Sequence, residues 1–152
     1  DCDFAPSTGI IIETPGFLPH YSARANLAIL AGISGKATPK RIDEVIRSVG
    51  LDPEDKKPVG KYSLGMRQRL GIAQALMEDP QILILDEPFN GLDARGIADV
   101  HSLLRQQKEA GKCVLLVSHS AFDIRMACDE VYRLEGGILA EAPEETNRTQ
   151  PD

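Results

Sequence analysis

Two segments of this chain are short and wholly apolar: residues 82–85 read ILIL and residues 114–117 read VLLV. Runs of that length suit strands buried on both faces of a parallel sheet. Residues 9–12, GIII, form a third such run, stopped by Glu13-Thr14-Pro15-Gly16. Elsewhere the apolar period is helical. Residues 23–31 read as a short helix. Ile42, Val45, Ile46 and Val49 recur at helical spacing behind Thr38-Pro39, with proline suited to a first turn and Gly50 closing the helix. Met66, Leu70, Ala73 and Met77 form one stripe, opened by Ser63 as N-cap and stopped by Pro80. Ile97, Val100 and Leu104 mark the buried face of a further helix, capped by Asp93 and ended by Gly111. A short helix to about residue 128 leads into residues 131–134 and 138–140, which flank Gly136-Gly137 and read as a β-hairpin.

The order is strand, mostly helical insertion, strand, helix, strand, helix, hairpin. Strands alternating with helices predict an α/β fold on a parallel sheet. In this reading residues 1–14 supply a core strand, and residues 15–76 form a helical subdomain inserted into the core. Residues 77–140 complete the α/β core, and residues 141–152 are a polar, flexible tail.

Composition narrows the function. With 152 residues the length suits one domain. Aromatics are only 5% and tryptophan is absent, which disfavours stacking platforms for single-stranded nucleic acid. The net charge of −6 argues against a nucleic-acid surface or a polybasic membrane anchor. No apolar run approaches the ~20 residues a membrane span needs. Cys2, Cys113 and Cys128 are too scattered for a disulfide framework or a zinc site, and Cys113, opening an apolar run, reads as a small core residue. The expected compartment is the cytoplasm.

Chemistry gathers where the apolar strands end. Asp86-Glu87 follows ILIL directly, at the sheet edge where open α/β folds bind ligands. There Asp86 can hold magnesium, through a water, and Glu87 can orient or deprotonate an attacking water. A solvated turn is the competing reading. His119 ends the run VLLVSH and so reaches the same edge, as a phosphate contact or as a plain surface histidine. Ser63-Leu64-Gly65 opens a helix, whose free N–H groups either attract phosphate or are simply capped. Glu13 either faces the ligand edge or is a solvated turn residue. His20 and His101 receive no role.

Taken in order, these pieces resemble the ATP-binding-cassette (ABC) family of transporter ATPases. SLGMRQRLGIAQALMEDPQILILDEPFNGLD, residues 63–93, resembles the signature motif, Walker B strand and D-loop in unbroken succession. VSH, residues 117–119, resembles the switch histidine, and IIETPGFLPHYSARANL, residues 11–27, the segment around the Q-loop. The resemblance implies a P-loop NTPase-type fold and ATP with Mg2+ in the intact protein. It implies Glu87 as catalytic carboxylate, His119 on the γ-phosphate, and Asp86 on magnesium, with Glu13 at the Q-loop position as a second magnesium contact. Ser63 and Gly65 would touch ATP held by a second nucleotide-binding subunit in a head-to-tail dimer, and Asp93 would communicate across it. The helical subdomain would dock on a transmembrane permease, which makes the protein peripheral to the membrane.

Three departures are visible. The signature usually reads LSGGQ but here reads YSLGM; and Glu13 stands where glutamine is usual, an acceptor-only group when ionised. Both resemble the exporter subgroup for bacitracin and related peptide antibiotics. The third is that no GxxxxGK[ST] phosphate loop occurs in the chain. The expectation is an N-terminally truncated ABC ATPase fragment, inactive alone, whose open strand edges favour self-association. Two other readings are a non-enzymatic truncated paralogue acting as a docking module, and a DNA-repair or chromosome-maintenance ATPase. The insertion carries no sustained heptad and the charge is acidic, both against the latter.

Overall fold

The computed structural model describes residues 7–12 and 16–141. Three parallel strands, β1 (Thr8–Ile11), β2 (Ile82–Asp86) and β3 (Cys113–Val117), lie in the order β1-β2-β3. Their register aligns Ile10 with Ile84 and Ile84 with Leu115. Between β1 and β2 the chain forms α1 (Ala23–Ser34), α2 (Pro39–Ser48), a 3-10 turn (Val59–Lys61) and α3 (Leu64–Leu76). Then α4 (Ala94–Glu109) links β2 to β3, and α5 (Ala121–Ala127) leads to an antiparallel hairpin of β4 (Tyr132–Glu135) and β5 (Ile138–Glu141). Gly136 and Gly137 both take positive φ, 57° and 80°, as a two-residue hairpin turn requires.

The helices start where their caps predict. Ser22, Thr38, Ser63, Asp93 and Ser120 each accept a hydrogen bond from a backbone N–H of the first turn. Two arginines then fasten the ends of α2 and α3 to each other. Arg41 of α2 donates to the Leu76 carbonyl at 2.9 Å, and Arg69 of α3 donates to the Val49 carbonyl at 2.7 Å. Each cation meets the negative end of the other's helix. Asn26 is buried, but its amide accepts from Leu18 N–H at 2.8 Å and donates to the Leu18 and Ser22 carbonyls, which fixes the loop entering α1.

One face of the sheet is covered. Gly9, Ile11, Leu83 and Leu85 point into the core, where α3 packs on β1 and α4 on β3. At Gly9 a Cβ would stand 2.1 Å from the Ala75 carbonyl oxygen, so only glycine lets α3 come this close to β1. The opposite face corrects the expectation of strands buried on both sides. Ile10, Leu115 and Val117 are exposed and Ile82 and Ile84 half-buried, because no described element lies over them. Cys113 is likewise exposed rather than a core residue, since it shares that face with Leu115 and Val117.

Candidate functional site

The C-terminal edge of β2 and β3 brings Asp86, Glu87 and His119 together. Asp86 is the last residue of β2 and lies beside Val117 in the register. Glu87 then leaves the strand with φ of 49°, in the left-handed region that non-glycine residues rarely occupy. Its N–H still donates to the Val117 carbonyl at 2.8 Å, so the carboxylate is aimed across β3 rather than along β2. There Glu87 Oε1 accepts two hydrogen bonds from one residue: the His119 backbone N–H at 3.0 Å and the ring Nδ1 at 2.8 Å. A carboxylate only accepts when ionised, so Nδ1 carries a proton and Nε2 remains for another partner.

The Glu87 hydrogen bond and its charge raise the His119 pKa above its ordinary 6.5. A raised histidine pKa stabilises the fold below the ordinary value, and that contribution is lost as pH rises through the folded value. Proton NMR of the imidazole therefore gives a direct check. His119 is expected to titrate above its ordinary value, and Glu87→Gln to bring it back down; an unchanged titration would contradict the pairing.

The remaining predicted residues occupy a second cluster at the start of α3 and α4. Ser63 Oγ accepts from Met66 N–H at 3.2 Å, and Asp93 Oδ1 accepts from Gly96 N–H at 2.8 Å, so both act as helix caps. Gly65 lies against the turn after β2. A Cβ there would come within 2.6 Å of the Gly91 carbonyl oxygen, while Gly91, at φ of 74°, is packed under Leu64. The signature-like turn and the D-loop-like turn are thus in backbone contact. Glu13 lies outside the described residues. Among those described, no three His, Cys, Asp or Glu side chains gather as a metal cluster. A magnesium ion needs less than that: one carboxylate such as Asp86, with phosphate and water oxygens completing its shell.

Two residues escape the sequence reading. Gln68 of α3 is buried, and its side-chain Nε2 donates to the Glu87 carbonyl at 3.2 Å. The one signal in the sequence is its spacing, four residues before Ile72 and seven before Ala75, on a buried face of α3. His101 of α4 stacks on Phe89 with ring centroids 4.6 Å apart and lies 3.3 Å from Asp123, tying α4 to the turn after β2 and to α5. A groove of about 450 Å3 beside it is lined by Ile97, His101, Phe122 and Met126 and includes none of the predicted site residues.

Along most of its length the chain is similar to known proteins. Residues 2–90 match the family described as "ABC transporter". The chain is 44% identical over 139 residues to an uncharacterized ABC transporter ATP-binding protein, YybJ, of Bacillus subtilis, covering 91% of this chain and 64% of that protein. It is 47% identical over 137 residues to the bacitracin transport ATP-binding protein BcrA of Bacillus licheniformis, covering 89% and 45% respectively. The chain therefore spans about half to two-thirds of these relatives. Among solved structures, CbiO1 of Clostridium perfringens, part of an ABC transporter complex, superposes with a TM-score of 0.71 at 29% identity, over 88% of this chain and 55% of that one. A dimeric bacterial ABC transporter cassette shares the fold with a TM-score of 0.77 at 22% identity, over 89% and 62%.

Proposed function

The chain belongs to the ABC transporter ATP-binding family, and from that premise we propose that it forms the catalytic and signature part of an exporter's ATPase subunit. The observation that carries the reading is the Glu87–His119 pair beside Asp86 at the strand edge. In this proposal Glu87 orients the attacking water and takes its proton, and its hydrogen bond from His119 fixes the direction of the carboxylate. With Nδ1 committed to Glu87, His119 Nε2 donates to the γ-phosphate of ATP. Asp86 would hold magnesium, which would supply positive charge against the phosphates. The Glu13 contact to that ion belongs to the same proposal.

Ser63, Gly65 and Asp93 are assigned to a second subunit's nucleotide. The dimeric arrangement of the bacterial cassette that shares this fold supports that assignment. The boundaries at residues 15–76 and 77–140 are part of the same proposal, with α3 serving as the joint. A transmembrane permease would bind the helical part and place the subunit at the cytoplasmic face of the membrane. No helix among the described residues is long and apolar enough to cross it. A peptide antibiotic is the proposed cargo. The supporting relatives are transport proteins for bacitracin, and for a lantibiotic in Streptococcus pyogenes at 37% identity. The exposed face of β3, an edge strand among the described residues, supports self-association of the isolated chain.

The test uses the whole subunit that contains this chain. It is expected to hydrolyse MgATP, and Asp86→Asn to lose most of that activity with a raised magnesium requirement. Absence of hydrolysis by the unsubstituted subunit with its permease would overturn the proposal.

A further inference from the structure

We propose that Gln68 is the positioning residue that holds the Glu87 backbone in its left-handed conformation and so aims the carboxylate at His119. The inference rests on the reading of Glu87 as the catalytic carboxylate. It starts from an anomaly in α3: an uncharged amide, 4% exposed, on a helix face shared with Ile72 and Ala75. A buried amide is costly unless it is hydrogen-bonded. Gln68 Nε2 donates to the Glu87 carbonyl at 3.2 Å, and because that partner only accepts, the NH2 end of the amide must face it.

Glu87 needs such a restraint. Its φ of 49° is strained for a residue with a Cβ and persists only where the surroundings enforce it. Three hydrogen bonds bear on its two peptide groups. The N–H donates to Val117 O at 2.8 Å, and the carbonyl accepts from Asn90 N–H at 3.2 Å and from Gln68. The first two come from the backbone of the strand edge and its turn. Gln68 supplies a side chain instead, from another element nineteen residues away. Pro88 follows and is fully buried, so the peptide after Glu87 is held on its far side as well. If the Gln68 donor is lost, Glu87 can relax to negative φ. Its Cα–Cβ bond then swings away from β3, and the two hydrogen bonds to His119 are broken. Gln68 touches neither substrate nor water in this scheme; it acts through Glu87.

Gln68→Met removes the donor and keeps the length and unbranched shape of the side chain. In the whole subunit this change is expected to lower kcat for MgATP hydrolysis about 10- to 100-fold, the scale of a misaligned catalytic group, with KM within about twofold. In the 152-residue chain, NMR is expected to show a strong intraresidue HN–Hα contact at Glu87, the mark of positive φ, and Gln68→Met to weaken it. A role confined to helix packing would leave both readouts unmoved. Wild-type kcat in Gln68→Met, or an unchanged Glu87 conformation, overturns the inference. The unsubstituted chain offers a check that does not depend on folding of the variant: slow exchange of the Gln68 side-chain amide protons is expected, and rapid exchange overturns it. Glu87→Gln separates the two levels. If that variant is inactive while Gln68→Met is fully active, only the positioning role fails. If Glu87→Gln hydrolyses normally, the reading of Glu87 fails and this inference with it.

Discussion

Glu87→Gln is expected to lower kcat for MgATP hydrolysis by the whole subunit about 10²- to 10⁴-fold, the usual contribution of a positioned general base. The substitution keeps size and leaves a hydrogen-bonding group, so KM should change little. What it removes is the acceptor-only carboxylate on which the site is built. Oε1 accepts both the backbone N–H and the ring Nδ1 of His119. An amide oxygen can still accept these bonds, but it is uncharged and takes no proton from water. The direction of the His119 pKa follows the same cause, since the carboxylate is what raises it. His119→Ala should also lower kcat. Because the two side chains are in direct contact, the double variant should lose less than the product of the single losses. Retention of more than about half of the wild-type kcat in Glu87→Gln would rule out its role as the base.

How far the chain can be read in advance depends on the range of the interaction that decides each feature. Caps are local, so the sequence predicts Ser63 and Asp93 as caps, and both in fact accept from the first turn. The hairpin at Gly136-Gly137 is local for the same reason. The sheet edge that holds Asp86, Glu87 and His119 is also legible, because strand ends are marked by an abrupt change from apolar to polar residues. The direct contact between Glu87 and His119 is not. It depends on positive φ at a glutamate, and nothing in the residue type announces that conformation. Cys113 and Leu115 are misjudged because an apolar strand does not reveal which of its faces another element will cover. Gln68 escapes on the opposite ground: a polar residue in a helix is expected to face solvent, and only the approach of Glu87 to α3 makes its burial tolerable.

Leu70→Ala is expected to destabilise the 152-residue chain by about 2–5 kcal/mol, the range for removing a buried leucine side chain and leaving a cavity. Leu70 has no exposed surface and lies in α3, which packs on both β1 and α2. The upper part of the range is favoured by the rigidity around it. Gly9 already admits the Ala75 carbonyl at an approach no other residue allows, and Arg41 and Arg69 fasten α3 to α2, so the helix has little room to settle into a void. Ile33→Ala is the matched control: its side chain is 81% exposed, and a change of about 0.5 kcal/mol or less is expected. Urea melts of both variants measure the difference, with the midpoint moving and the slope preserved for Leu70→Ala. Equal effects at the two positions would mean that α3 is not part of the cooperative core. A domain is stable by only about 5–15 kcal/mol, so a loss of this size is a large share of the total. Since α3 also carries Gly65 and Gln68 and is capped by Ser63, loosening it should blur the His119 environment in NMR spectra before the chain unfolds. The site and the core would then be shown to share one helix.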